Sequence, residues 1–119
     1  MGPDSVRTLK IWQDGMQIVR ECYSLTSTWP KAELFGLTGQ IRRAAVSIPA
    51  NIAEGKGRGS IPEVARFTQI ALGSTYELDT LLQLGAELGF SPAEQIDVLR
   101  SRVATLARQI SRYLQTKRR

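Results

Sequence analysis

The chain has no histidine and a single cysteine, Cys22, among its 119 residues. Without histidine, the commonest general acid–base group and the commonest metal ligand are both missing. Neither a Ser-His-Asp nor a Cys-His constellation can be built from these residues, so no catalytic residue, metal site or cofactor is expected. The lone cysteine excludes an intramolecular disulfide and fits a reducing cytoplasm. No apolar run approaches the ~18 residues of a membrane span, and the opening MGPDSVRTLK lacks the apolar centre of a signal peptide. A cytoplasmic location away from membranes is the expectation. Aromatic residues are few, at 7%, and Trp12, Tyr23, Phe67 and Tyr113 fall at helix-seam spacing. They offer no interleaved platform for stacking single-stranded bases.

What is present is the balance of an ordinary globule, 42% apolar and 23% charged. The length suits one domain, residues 1–119, with a single core that needs neither disulfide nor metal. The formal charge of +5 favours polyanionic partners.

Hydrophobic spacing predicts four helices and no strand. The first spans about 5–26, with Val6, Leu9, Trp12, Met16, Val19 and Tyr23 on one face and Ile11, Ile18, Cys22 and Leu25 on a second. Asp4 or Ser5 is its expected cap, and Trp29-Pro30 ends it. The second spans about 33–56, with Leu37, Ile41, Ala45, Ile48 and Ile52 as its buried stripe. Pro49 lies inside that stripe and predicts a kinked but continuous helix; Gly55, Gly57 and Gly59 predict a loose exit. The third spans about 61–88. Ser60, Pro62 and Glu63 open it as a capping box with an early proline, and Val64, Phe67, Ala71, Ser74, Leu78, Leu81, Gly85 and Leu88 form its seam. The fourth spans about 92–115, capped by Ser91, with Ile96, Leu99, Val103, Leu106, Ile110 and Tyr113 inward and a frayed TKRR tail. Four amphipathic helices with short loops predict an all-α, up-down-up-down antiparallel bundle.

The chemistry is carried by charge. On a helical wheel Arg43 falls opposite the core, with Ser47 and Glu54 near its azimuth and Asn51 on the flank. This stripe reads as a solvated face, or as a subunit contact or an anion site; the alanines at 44, 45, 50 and 53 would allow the contact. Glu77 is placed either exposed or reaching Arg43 from the third helix. Arg43, Pro49, Asn51, Glu54 and Glu77 are therefore the structural and interface candidates. Arg42 and Lys56 lie on the other flank of helix two and Arg58 in its exit. Arg108 and Arg112 share a face of helix four, where Arg100 and Arg102 begin a basic run. Arg42, Lys56, Arg58, Arg108 and Arg112 are the candidate phosphate contacts, acting in any sequence context. The GKGRGS segment has no G-x-x-x-x-G-K-[ST] pattern and no preceding strand, so it is not a nucleotide loop.

The segment FGLTGQIRRAAVSIPANIAEGKGRGS resembles the motif of a bacterial four-helix-bundle family first found encoded by intervening sequences in large-subunit ribosomal RNA genes. A branch of that family serves as the accessory variability determinant of diversity-generating retroelements. Trp12 with Met16, Tyr23-x-Leu-Thr26, FTQIALGSTYELDTLL and Leu88-Gly89-Phe90 are also similar to the family pattern, and the resemblance covers roughly Leu9 to Leu114. It implies a homopentameric ring without known enzymatic activity. In the retroelement branch it implies basic surfaces that bind nucleic acid and a reverse transcriptase. The expectation is a non-enzymatic homo-oligomeric scaffold binding RNA or DNA with little sequence specificity. The alternative is a scaffold for another protein, with no nucleic-acid ligand.

Overall fold

The computed structural model describes residues 2–118. Its four helices are α1 (Lys10–Thr26), α2 (Leu37–Arg58), α3 (Ile61–Glu87) and α4 (Ala93–Lys117), with short 3-10 segments at Pro3–Thr8 and Lys31–Glu33. Each helix packs on its chain neighbours and α4 returns to α1; among the described residues the backbones of diagonal helices stay more than 8 Å apart, Cα to Cα. This is the antiparallel up-down-up-down bundle. Its extents are 43 × 23 × 20 Å, and a helix as long as α3 spans about 40 Å, so the helices lie along the long axis.

The predicted stripes make the core. Leu37, Ile41, Ala45, Ile48 and Ile52 of α2 are all buried, as are Ile96, Leu99, Val103, Leu106 and Ile110 of α4. On α3 the seam holds from Phe67 to Gly85; Leu88 lies past the helix end and is 61% exposed. On α1 the second stripe is the inner one: Ile11, Ile18 and Cys22 are buried, while Trp12 and Val19 pack at its edge and Tyr23 is exposed. Helix α2 runs through Pro49 without interruption, and Pro49 is buried. A Cβ added at Gly15 would meet the Pro49 ring at 3.4 Å. That is ordinary packing distance, so Gly15 lies against Pro49 where α1 meets α2.

Several boundaries differ from expectation. Helix one is not continuous from Ser5. Leu9 is extended, at φ −78° and ψ 122°, and separates the Pro3–Thr8 turn from α1; neither Asp4 nor Ser5 caps α1. Helix two begins at Leu37 rather than Glu33, whose carboxylate accepts the Leu37 N–H at 3.1 Å. It also runs on through Gly55 and Gly57 to Arg58, and the left-handed turn falls at Gly59, φ 79°. Gly55 is no loosening device, because a Cβ there would sit 2.9 Å from Phe67 Cβ and 3.3 Å from Val64 Cα. Its role is close approach of α2 to α3. Ser60 caps α3 by accepting the Glu63 N–H at 3.3 Å, but the Glu63 carboxylate turns to Arg66 at 2.8 Å. Only half of the capping box is formed. Ser91 does not cap α4; Pro92 holds that position, and the Ser91 hydroxyl accepts the Trp29 indole N–H at 2.7 Å. The tail is ordered further than expected. Helix α4 reaches Lys117, and Arg118 donates to Gln69 Oε1 at 2.8 Å. Arg119 lies outside the described residues.

Candidate nucleic-acid interface

Helix α4 supplies four arginines before its final turn, and the bundle neutralises the first two. Arg100 donates to both carboxylate oxygens of Asp79 on α3, at 2.9 and 3.3 Å, and to Gln83. Its hydrogen bond to the Asp79 carboxylate raises the Arg100 pKa further. Arg102 pairs with Glu21 of α1. The basic run expected from Arg100 onward is therefore absent at its start, because these two charges serve the α3–α4 and α1–α4 seams. Beyond them Arg108 is exposed and donates only to Thr105, at 3.2 Å. Among the described residues Arg112 and Lys56 form no ion pair or side-chain hydrogen bond, and Lys117 lies over the Tyr113 ring at 5.0 Å.

Arg58 is more occupied than its place in a glycine-rich exit suggested. It pairs with Glu54 at 3.0 Å and Glu63 at 3.9 Å, and its guanidinium lies 5.0 Å from the centre of the Phe67 ring. Arg66 lies over the same ring at 4.3 Å. Its hydrogen bond holds the Glu63 carboxyl below the ordinary range. Arg66 belongs to this end cluster and was missed in the sequence, although Glu63 three residues earlier on a helix was the available signal. Arg42 is also engaged: its Nε donates to Thr26 Oγ1 at 3.0 Å, and its guanidinium lies 4.4 Å from the Tyr23 ring centre.

The topology therefore splits the five candidates. Lys56 and Arg58, late in α2, and Arg112, late in α4, share one end of the bundle, with Lys117 and Arg118. Arg108 lies one helical turn inward from Arg112, and Arg42 sits near the opposite end.

The interface candidates are also rearranged. Ser47 and Asn51 are not on the outward stripe. Ser47 and Ser74 share a hydrogen bond of 2.8 Å across α2–α3, and Asn51 Nδ2 donates to the Ser47 carbonyl and hydroxyl at 2.8 and 2.9 Å. The pairing expected of Arg43 is corrected: Glu54 is committed to Arg58, Glu77 is exposed, and Arg43 is exposed with no partner among the described residues. Within one chain Arg43 is not a desolvated charge, so its removal carries none of the cost of a broken buried pair. Ala44 and Ala45 are spent inside the bundle; Ala50 remains exposed.

Among the described residues no three His, Cys, Asp or Glu side chains come together as a metal-binding group, and no helix is long and apolar enough to cross a membrane. The family model for 23S rRNA-intervening sequence proteins matches residues 7–112. The chain belongs to this family. A solved structure from Bacteroides thetaiotaomicron, described as a protein with unknown function from the S23 ribosomal protein family, superposes with a TM-score of 0.78. It is 19% identical and covers 87% of this chain and 97% of its own. At that identity the likeness shows the shared fold. Among curated proteins none matches the chain.

Proposed function

We propose that this family member is a non-enzymatic homo-oligomeric scaffold, a pentameric ring, that binds nucleic acid electrostatically through the basic end of each subunit. One observation carries the nucleic-acid part. The C-terminal half of α4 presents Arg108 and Arg112 to solvent without acidic partners among the described residues, whereas Arg100 and Arg102 of the same helix are neutralised. Lys56, Lys117 and Arg118 extend this charge around the end of the bundle. Repetition around a ring lets several weak phosphate contacts act together.

Two measurements test it. Sedimentation equilibrium at micromolar concentration should give about five times 13.2 kDa; a clean monomer removes the ring. Titration of labelled oligonucleotides should show affinity falling steeply with salt and little preference among sequences. Replacing Arg108 and Arg112 by glutamine should lower the slope of log affinity against log salt by about 1 for each phosphate that is no longer neutralised. The helix content should stay unchanged, since both side chains point off the core. Absence of binding even at low salt overturns the nucleic-acid reading. The protein-scaffold reading would then stand on the exposed apolar surface, of which Phe35, 91% exposed, is the extreme case.

A further inference from the structure

Two faces of the bundle adjoin at α2, and each leaves a charge unpaired on an apolar ground. The first is the outer side of α2 towards α1. On a helical wheel Val46 and Ala50 fall there, with Arg43 at its rim. Val46 is 42% exposed, and Tyr23 of α1, 44% exposed, continues the apolar surface across the α1–α2 seam. Arg43 is exposed and has no acidic partner among the described residues.

The second face is the outer side of α3 towards α2, beyond the Ser47–Ser74 hydrogen bond. The same wheel places Ile70, Gly73, Glu77 and Leu84 there; Ile70 and Leu84 are 42% and 41% exposed. Between Arg66 and Glu87 the charged residues of α3 are Glu77 and Asp79. Asp79 is held by Arg100, while Glu77 is exposed and unpaired among the described residues. Gly73 shows what such a face is built for. It lies inside α3, where glycine is less stable than alanine, yet a Cβ there would meet nothing of its own chain within 4 Å. Gly55 and Gly85 make room for Phe67 and Trp29; nothing inside the subunit asks the same of Gly73. A helix brought up from outside would.

The opposite charges make that helix one from a second copy of this chain. Joining the two faces pairs an uncommitted cation with an uncommitted carboxylate and covers apolar surface on both sides. The faces are adjacent, not on opposite sides of the bundle. Copies joined through adjacent faces turn at every contact, which closes a small ring instead of extending a filament.

We propose that the α1–α2 face of one subunit docks on the α2–α3 face of the next, with Arg43 paired to Glu77 of the neighbouring copy and Gly73 lying under the incoming α2. This contact rests on the ring reading and gives the ring its joint.

Sedimentation equilibrium of the full chain measures it, with circular dichroism as the check on folding. Arg43→Glu and Glu77→Arg should each weaken self-association about tenfold or more, and the double variant should regain it. Mixing the two single variants should regain it too, up to the one mismatched joint that an odd-numbered ring must keep, because each supplies the charge the other has lost. Gly73→Leu should weaken assembly with helix content unchanged, since its own chain leaves that space open. Glu94→Arg, the same change of charge at an exposed site on α4, should assemble like the parent. A monomeric parent removes the ring and this contact with it. A parent that assembles while Arg43→Glu and Gly73→Leu assemble equally well overturns the contact and leaves the ring standing. Recovery in the double variant but not in the mixture places the ion pair within one chain and overturns the contact as well.

Discussion

Replacing Trp29 by alanine is expected to cost about 4 kcal/mol of stability, read from chemical denaturation at fixed protein concentration. Trp29 sits in the α1–α2 connection, is 5% exposed, and joins the connection between α3 and α4. Its indole N–H donates to Ser91, and its ring meets Phe90 with centroids 5.2 Å apart and planes at 53°. A Cβ at Gly85 would come within 2.4 Å of the indole edge, so the glycine makes room for the ring. Alanine at 29 removes all three contacts and leaves a cavity. Trp29→Phe keeps an aromatic ring but strands the Ser91 hydroxyl, and should cost less, on the order of 1–2 kcal/mol. Gly85→Ala should cost about 1–3 kcal/mol by overpacking, and much less in the Trp29→Ala background, where the added methyl enters vacated space. That non-additivity identifies the contact. A loss below about 1 kcal/mol for Trp29→Ala would mean that this end of the bundle is not held by the indole.

The helices were legible because each needs one apolar stripe, and stripes of period 3.6 are written locally. What escaped was set by contacts distant in sequence. Val6 and Leu9 continue the α1 periodicity, so the pattern is blind to a one-residue break at Leu9; both pack on the core with the break present. Gly55 and Gly57 read as breakers by local preference, yet α2 continues through both, and at Gly55 the missing side chain lets Phe67 of α3 approach. Ser91 with Pro92 and Glu94 has the pattern of a helix start, but its hydroxyl is claimed by Trp29, 62 residues away.

The candidate interface was less legible for the same reason. Charge is visible in a sequence, but neutralisation across helices is not. Arg100 and Arg102 look like Arg108 and Arg112 until Asp79 and Glu21 are placed opposite them, 21 and 81 residues away. Arg43 shows the reverse: the wheel predicted its outward azimuth, but its expected partner Glu54 lies four residues before Arg58 and pairs there, the local i, i+4 contact prevailing.

Cys22 should be nearly inert to thiol reagents while the chain is folded, and the fold should lose stability in alkali. The side chain is fully buried, at 0% exposure, and burial pushes its pKa from 9.0 up to about 12. At pH 8 about a tenth of an unfolded thiol is ionised, against roughly one part in 10⁴ of the folded one, a ~1,000-fold deficit of the reactive form before steric closure is counted. The sign of the pH effect follows from linkage. The folded pKa is raised, so the unfolded chain releases its proton first. The contribution is complete below pH 9.0 and declines as pH rises towards 12, at up to about 1.4 kcal/mol per pH unit. Burial also raises the Tyr113 phenol, adding a loss of the same sign above pH 10. Denaturation of the parent and of Cys22→Ala at pH 8, 9.5 and 11 separates the two groups. The parent should lose more between the first and last pH, and the difference belongs to the thiol. Labelling by an aromatic disulfide should be slow in buffer and fast in denaturant. Equal labelling rates in both, or parallel pH profiles for the two proteins, would show that α1 does not bury Cys22 in solution.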